Sequence, residues 1–183
     1  MKPLPSIEGG YQVITADPPW PYNNSQSHDP KRGGYTYPPM TMEQIKALPV
    51  ESIAAEDSLL FLWATMPKLP QALEVIEAWG FRHVTTAFVW VKTNPKNAKI
   101  YSGMGYYTNG NAELVLIGKR GHPHRVRKDV KQIVIAPRSR HSAKPEEVRR
   151  RIDLLVGPKK RKLEMFARGT LPSGWMGWGL EFP

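Results

Sequence analysis

The chain contains no cysteine, which excludes disulfides, a thiolate nucleophile and any cysteine-based zinc centre. That lack fits a cytoplasmic protein. No apolar run reaches the length needed to span a membrane, and the first ten residues lack the basic-then-apolar order of a signal peptide. There is no internal repeat and no low-complexity tract. At 183 residues the chain has the size of one domain, residues 1–183, large enough to bury a real core.

Acidic residues are scarce in one part of the chain. Residues 1–118 carry 9 Lys and Arg against 10 Asp and Glu, whereas residues 119–183 carry 17 against 6. Such asymmetry suits a polyanionic partner, with nucleic acid ahead of an anionic membrane; a merely soluble basic surface is the alternative.

The pattern of apolar residues predicts an α/β fold. Residues 11–16 read as a short strand ended by two prolines, and Thr41-Met-Glu-Gln44 as a capping box opening a helix. The near-continuous apolar run 58–63 suits a strand covered on both faces. Apolar spacing predicts a helix over 67–79, followed by strands at 86–91, 113–118 and 132–136. A helix over 145–156 has Pro at its start and Gly157 past its end. Two last strands are expected at 162–167 and 175–179. Alternating strands and helices imply a mostly parallel sheet with ligands at the carboxyl ends of the strands. Residues 21–39 and 93–111 are long loops rich in Gly, Tyr and Asn, of the kind that usually carry function.

Asp17-Pro-Pro-Trp20, directly after a buried strand, is the most informative stretch. An exocyclic amine conjugated to a ring is a poor nucleophile; two acceptors aimed at its N–H groups would localise the lone pair and orient it towards an electrophile. Asp17 offers a carboxylate, and Pro18 and Pro19 lock a turn that exposes carbonyls without competing amide donors. Trp20 offers a face on which a flipped base can stack. The plainer alternative is an Asp capping a turn, with the prolines stiffening it and the Trp closing the core.

Asp17-Pro-Pro-Trp20 resembles the catalytic signature of the MT-A70 family of adenine-N6 methyltransferases. The similarity continues through Tyr37…Thr41-Met-Glu, Leu60-Phe-Leu-Trp-Ala-Thr65, Phe88-Val-Trp-Val-Lys-Thr-Asn94, Glu113-Leu-Val-Leu-Ile-Gly118, His141-Ser-Ala-Lys-Pro145 and Lys162-Leu-Glu-Met-Phe-Ala-Arg168, in the family's order. It implies a Rossmann-like S-adenosylmethionine-dependent methyltransferase fold. That fold is permuted, with a mostly parallel central sheet and helices on both faces.

The resemblance implies cofactor contacts at Asp17, Lys144, Arg168, Gly169, Thr170, Leu180 and Glu181. Lys144, at a helix start, would meet the carboxylate of S-adenosylmethionine, Asp17 its ammonium, and Glu181 the ribose hydroxyls. Leu180 departs from the family pattern, which carries an amide-bearing side chain there, and Thr170 and Leu171 stand where longer polar side chains are common. The resemblance also points to Trp20, Tyr22, Tyr37, Trp90 and Glu113 for the substrate base. Asn109 and Asn111 serve the same loop with little specificity.

The basic clusters Arg125-Val-Arg127-Lys128 and Arg138-Ser-Arg140 read as phosphate contacts. His122, His124 and His141 lack nearby carboxylates, so no metal site is expected. A zinc deaminase is excluded in its usual form by the missing cysteines. A catalytically silent nucleic-acid-binding partner of an active methyltransferase is the rival reading. The compact form favours DNA over RNA, and so small a chain is compatible with a homodimer that grips a duplex.

Overall fold

The computed structural model describes residues 2–22, 40–139, 143–180 and 182. The chain runs β1 (Tyr11–Ala16), α1 (Met42–Lys46), α2 (Val50–Ile53), β2 (Ala54–Ala64), a 3-10 turn (Met66–Lys68), α3 (Leu69–Ala78), β3 (Arg82–Thr93), β4 (Ala112–Arg120), β5 (Ile133–Pro137), α4 (Glu146–Val156), β6 (Lys162–Met165) and β7 (Trp175–Trp178). All the strands join one seven-stranded sheet of order β5-β3-β4-β2-β1-β6-β7.

β1 pairs in parallel with β2 and β6, β6 with β7, and β3 with β5; β4 is antiparallel to both β2 and β3. β4 alone therefore runs against the rest, and the sheet is mostly parallel, as the sequence predicts. The carboxyl ends of six strands lie along one edge. The connections after β1, β2, β3, β5, β6 and β7 all emerge there.

The sheet is covered on both faces. On one side Ile45, Val50, Ile53, Ala72, Val75, Ile76 and Trp79 from α1–α3 pack on Ile14, Leu60, Leu62, Leu163 and Met165. On the other, Val148, Ile152 and Val156 of α4 pack on Phe61, Trp63, Phe88, Val115 and Val134. Alternate residues of β2 thus serve opposite cores, which is why its sequence is continuously apolar.

The Thr41 capping box is present: the Thr41 side chain accepts from the Gln44 amide, and the Gln44 side chain accepts from the Thr41 amide. The main departures from the sequence expectation concern four elements. α2 is only four residues long, too short for periodicity to register. β2 and β3 extend several residues before their apolar runs, because ladder pairing continues through polar positions. β6 ends at Met165, not at residue 167, since Phe166 takes a positive φ of 60° that breaks the extended chain.

Candidate active site

The carboxyl ends of β1 and β6 diverge from the start of α4 and leave a cleft of about 200 Å³. Thr15, Asp17, Trp63, Lys144, Arg149, Glu164, Phe166, Arg168 and Thr170 contribute to its walls. This is the carboxyl edge of the sheet, where open α/β folds bind ligands.

Asp17 follows the last residue of β1, so the strand itself sets its position. Lys144, next to the Pro145 N-cap of α4, places its ammonium 2.7 Å from Asp17 Oδ2 and 3.3 Å from Glu113 Oε2. Lys92 Nζ donates to Glu113 Oε1 at 2.6 Å. Two carboxylates and two ammonium groups therefore alternate in one mostly buried chain that joins β3, β4, α4 and β1. Lys144 also sits 5.3 Å from the centre of the Trp63 ring.

Burial pushes the Asp17 carboxyl above the usual carboxylate range, helped by the negative charge of Glu113 and opposed by Lys144. Burial acts the same way on Glu113, but Lys144 and Lys92 outweigh it and hold that carboxyl low. The Lys144 ammonium is held firmly protonated: burial works against its charge, and the two carboxylates more than compensate.

Pro18, Pro19 and Trp20 form a tight turn in which the Trp20 amide donates to Pro18 O at 2.8 Å. The Met40 amide donates to Pro19 O at 3.1 Å. The proline carbonyls are thus not clear of amide donors, contrary to expectation; each keeps its second lone pair.

Trp20 is a larger correction. It is only 4% exposed, packs with the α1–α3 core, and donates its indole N–H to Trp63 O at 3.2 Å. It closes the core and ties the turn to the end of β2, leaving no free face for a base. Trp90 likewise belongs to the core: its indole N–H donates to Ala136 O at 2.9 Å, and its ring meets Trp63 edge-to-face. Tyr22, by contrast, stays half-buried at the carboxyl edge, its hydroxyl on the Thr65 hydroxyl and Lys68 above its ring. Burial raises its phenol above the ordinary value.

Arg168 and Thr170 line the cleft, Gly169 is exposed beside them, and Leu180 is 65% exposed. Tyr37, Arg140, His141 and Glu181 lie outside the described residues.

Arg125 and Arg127 are not part of this site. Because β4 descends, the chain after it lies at the amino edge, where the Val126 amide donates to Leu155 O at the far end of α4. The length of the strands, roughly 20 Å for six residues, separates them from Asp17. Arg127 is also paired with Asp129, and the backbone amide of His122 is held by Asp57 at 2.7 Å. Arg138, just after β5, is on the carboxyl edge, its guanidinium 3.5 Å from the centre of the Tyr101 ring.

The residues that sequence reasoning passed over are Thr15, Lys92, Arg149 and Glu164. Arg149 and Glu164 make a two-point ion pair on the cleft wall, at 2.8 and 3.0 Å. The Thr15 hydroxyl is buried without a hydrogen-bond partner among the described residues. Lys92 and Glu164 stand inside stretches that carry the resemblance, and Thr15 just before one, but none was singled out for a role.

A carboxyl-edge cleft at a helix start, on a seven-stranded sheet with one reversed strand, is the architecture of a Rossmann-like methyltransferase fold. Residues 11–181 match the MT-A70 family model, and the chain belongs to that family. It is 35% identical to the Type II methyltransferase M.MunI of a Mycoplasma species, aligned over 94% of this chain and 78% of that protein. It is 31% identical to an N(6)-adenosine-methyltransferase MT-A70-like protein of Arabidopsis thaliana, over 94% of this chain and 24% of the relative. For the human N(6)-adenosine-methyltransferase catalytic subunit METTL3 the identity is 30%, over 89% of this chain and 26% of the relative. The chain therefore spans most of M.MunI but about a quarter of these plant and human relatives. Methyltransferases of this family generally use S-adenosylmethionine.

Proposed function

We propose that this protein transfers a methyl group from S-adenosylmethionine to N6 of adenine in nucleic acid, with DNA as the preferred polymer. The observation that carries the reading is Asp17. Its carboxylate stands at the carboxyl end of β1, on the wall of the cleft, at the start of a proline turn.

The residues fit the cofactor. The cleft pairs a carboxylate with a lysine on one wall and leaves the Thr15 hydroxyl unsatisfied on another, a donor set matched to a zwitterionic amino acid and a polar sugar. Asp17, Lys144, Arg168 and Thr170 would hold it. Bound there, S-adenosylmethionine supplies an electrophilic methyl group on a sulfonium.

The chain's own residues prepare the amine. Asp17 accepts one N6–H, and a proline carbonyl of the turn accepts the other through its remaining lone pair. A carboxyl raised by burial is a better acceptor for the proton the amine must lose than a solvated aspartate. Trp20 holds the turn in place from behind, and Lys144 with Glu113 balances the buried charge.

DNA is favoured because the similarity extends over 78% of M.MunI but only about a quarter of the N(6)-adenosine relatives. A homodimer would give so small a chain a wider grip on a duplex, and a chain without cysteine is compatible with the reducing cytoplasm. Incubation with labelled S-adenosylmethionine and matched adenine-containing DNA and RNA, then digestion and identification of the labelled base, tests the reading. N6-methyladenine is expected, more on DNA. Cofactor binding without methylation of either polymer would establish a silent partner instead.

A further inference from the structure

The connection from β3 to β4, residues 94–111, stands on the same edge as Asp17 and is built in a particular way. Two bridges, Thr93 with Ile100 and Gly103 with Gly110, fold it back on itself as an arm. At its tip a Cβ on Gly105 would collide with the Thr108 carbonyl oxygen, and one on Gly103 would lie 2.9 Å from Gly110 O. Only glycine permits so tight a turn.

The turn displays large apolar side chains to solvent: Met104 is 92% exposed, Tyr106 77%, and Tyr107 fully. The arm carries Lys96 and Lys99 and no acidic residue. At its base the guanidinium of Arg138 stacks on Tyr101 at 3.5 Å. Aromatic rings among cations, with no carboxylate, complement bases on a phosphate backbone. The foot of the arm is Glu113, which reaches Asp17 through Lys144.

We propose that this arm is a stacking wedge: Tyr106 and Tyr107 enter a duplex and fill the gap left when an adenine is swung out to Asp17. The inference rests on the nucleic-acid reading above. It explains why the aromatic surface lies on the arm, whereas Trp20 and Trp90 are sealed in the core. Apolar and aromatic wedges that unstack base steps are a general means of exposing a base for chemistry.

The test uses the full chain and a duplex carrying 2-aminopurine at several adenine positions, whose emission rises when the base leaves the stack. At saturating protein, the parent raises the emission. The Tyr106→Ala/Tyr107→Ala double variant, confirmed bound by anisotropy, loses most of that rise. The double Phe variant restores it, because the ring and not the hydroxyl does the stacking.

Methyl incorporation gives an independent readout: the Ala variant loses about tenfold more activity on duplex DNA than on the same DNA as separated strands. An unchanged emission rise in the Ala variant overturns the wedge, as does an equal loss on both forms of DNA. A dimer that falls apart in the Ala variant also overturns it, assigning the arm to a second copy of the chain. An emission rise without any N6-methyladenine refutes the methyl-transfer reading while leaving the wedge in place.

Discussion

Replacing Asp17 with Ala separates the site from the scaffold. In the fold the carboxylate gives Lys144 a 2.7 Å partner; once it is removed, Lys144 keeps Glu113 at 3.3 Å, a carboxylate it shares with Lys92. Burial raises the Asp17 carboxyl above its ordinary value of 3.8. A carboxyl raised by folding contributes stability that is fully present below the unfolded value and is lost as pH climbs through the folded value. At pH 7, then, ionised Asp17 works against the fold. Asp17→Ala should leave the melting temperature within about 3 °C of the parent or above it, a change of about 1 kcal/mol in a domain of this size.

Turnover should fall by roughly 10²–10³-fold or more, the scale seen when one preorganised polar group is removed from a reaction centre. Differential scanning calorimetry at pH 7, beside initial rates of methyl incorporation, reads both quantities. A drop of more than about 5 °C with the activity of the remaining folded protein unchanged would refute the reasoning, making Asp17 a turn cap.

Three other changes follow from the packing. Trp20→Ala should cost about 3–5 kcal/mol in chemical denaturation, since it empties a core site and removes the bond to Trp63; intact stability with lost activity would return the indole to a stacking role. Glu147 accepts from Arg150 at 2.6 Å and Arg151 at 2.7 Å, and these bonds depress its carboxyl to about 2. Its contribution is therefore present above 4.5 and lost as pH falls towards 2, so Glu147→Gln should flatten the stability profile across that window, as measured by thermal melts. Arg138→Ala should lower activity on duplex DNA several-fold, whereas the double change Arg125→Ala/Arg127→Ala, at the opposite edge, should leave kcat unaltered. Equal effects of the two variants in the same rate assay would mean that nucleic acid wraps both edges.

Much of the fold was legible because two periodicities dominate it. Strands such as Leu60–Trp63 serve two cores and read as unbroken apolar runs, while α3 and α4 carry one apolar stripe each. The direction of β4 was not legible, since a reversed strand and a parallel one bury the same residues. Without that direction the sequence could not show that Arg125 and Arg127 lie on the edge opposite Asp17.

The site was legible where chemistry restricts residue choice, at Asp17 and Lys144, and not where packing decides. A Trp in a motif can stack on a ligand or seal a core, and only three-dimensional contacts distinguish the two. Thr15 and Glu164 face the cleft from ordinary strand positions, beside or within stretches that carry the resemblance, but nothing in those stretches assigns them a role.

The reversed strand has a consequence for how such a protein can change over generations. A hairpin needs no crossover helix, so the segment between β3 and β4 can lengthen or shorten without disturbing the order of the sheet. Each doubling of a flexible loop costs only about 0.6 kcal/mol in closure entropy. The ladders of β2–β4 and β3–β4 meanwhile hold Glu113 in register with Trp90, so insertions stop short of the reacting corner. Descendants of this chain can therefore exchange what they hold next to the target while keeping the chemistry they apply to it.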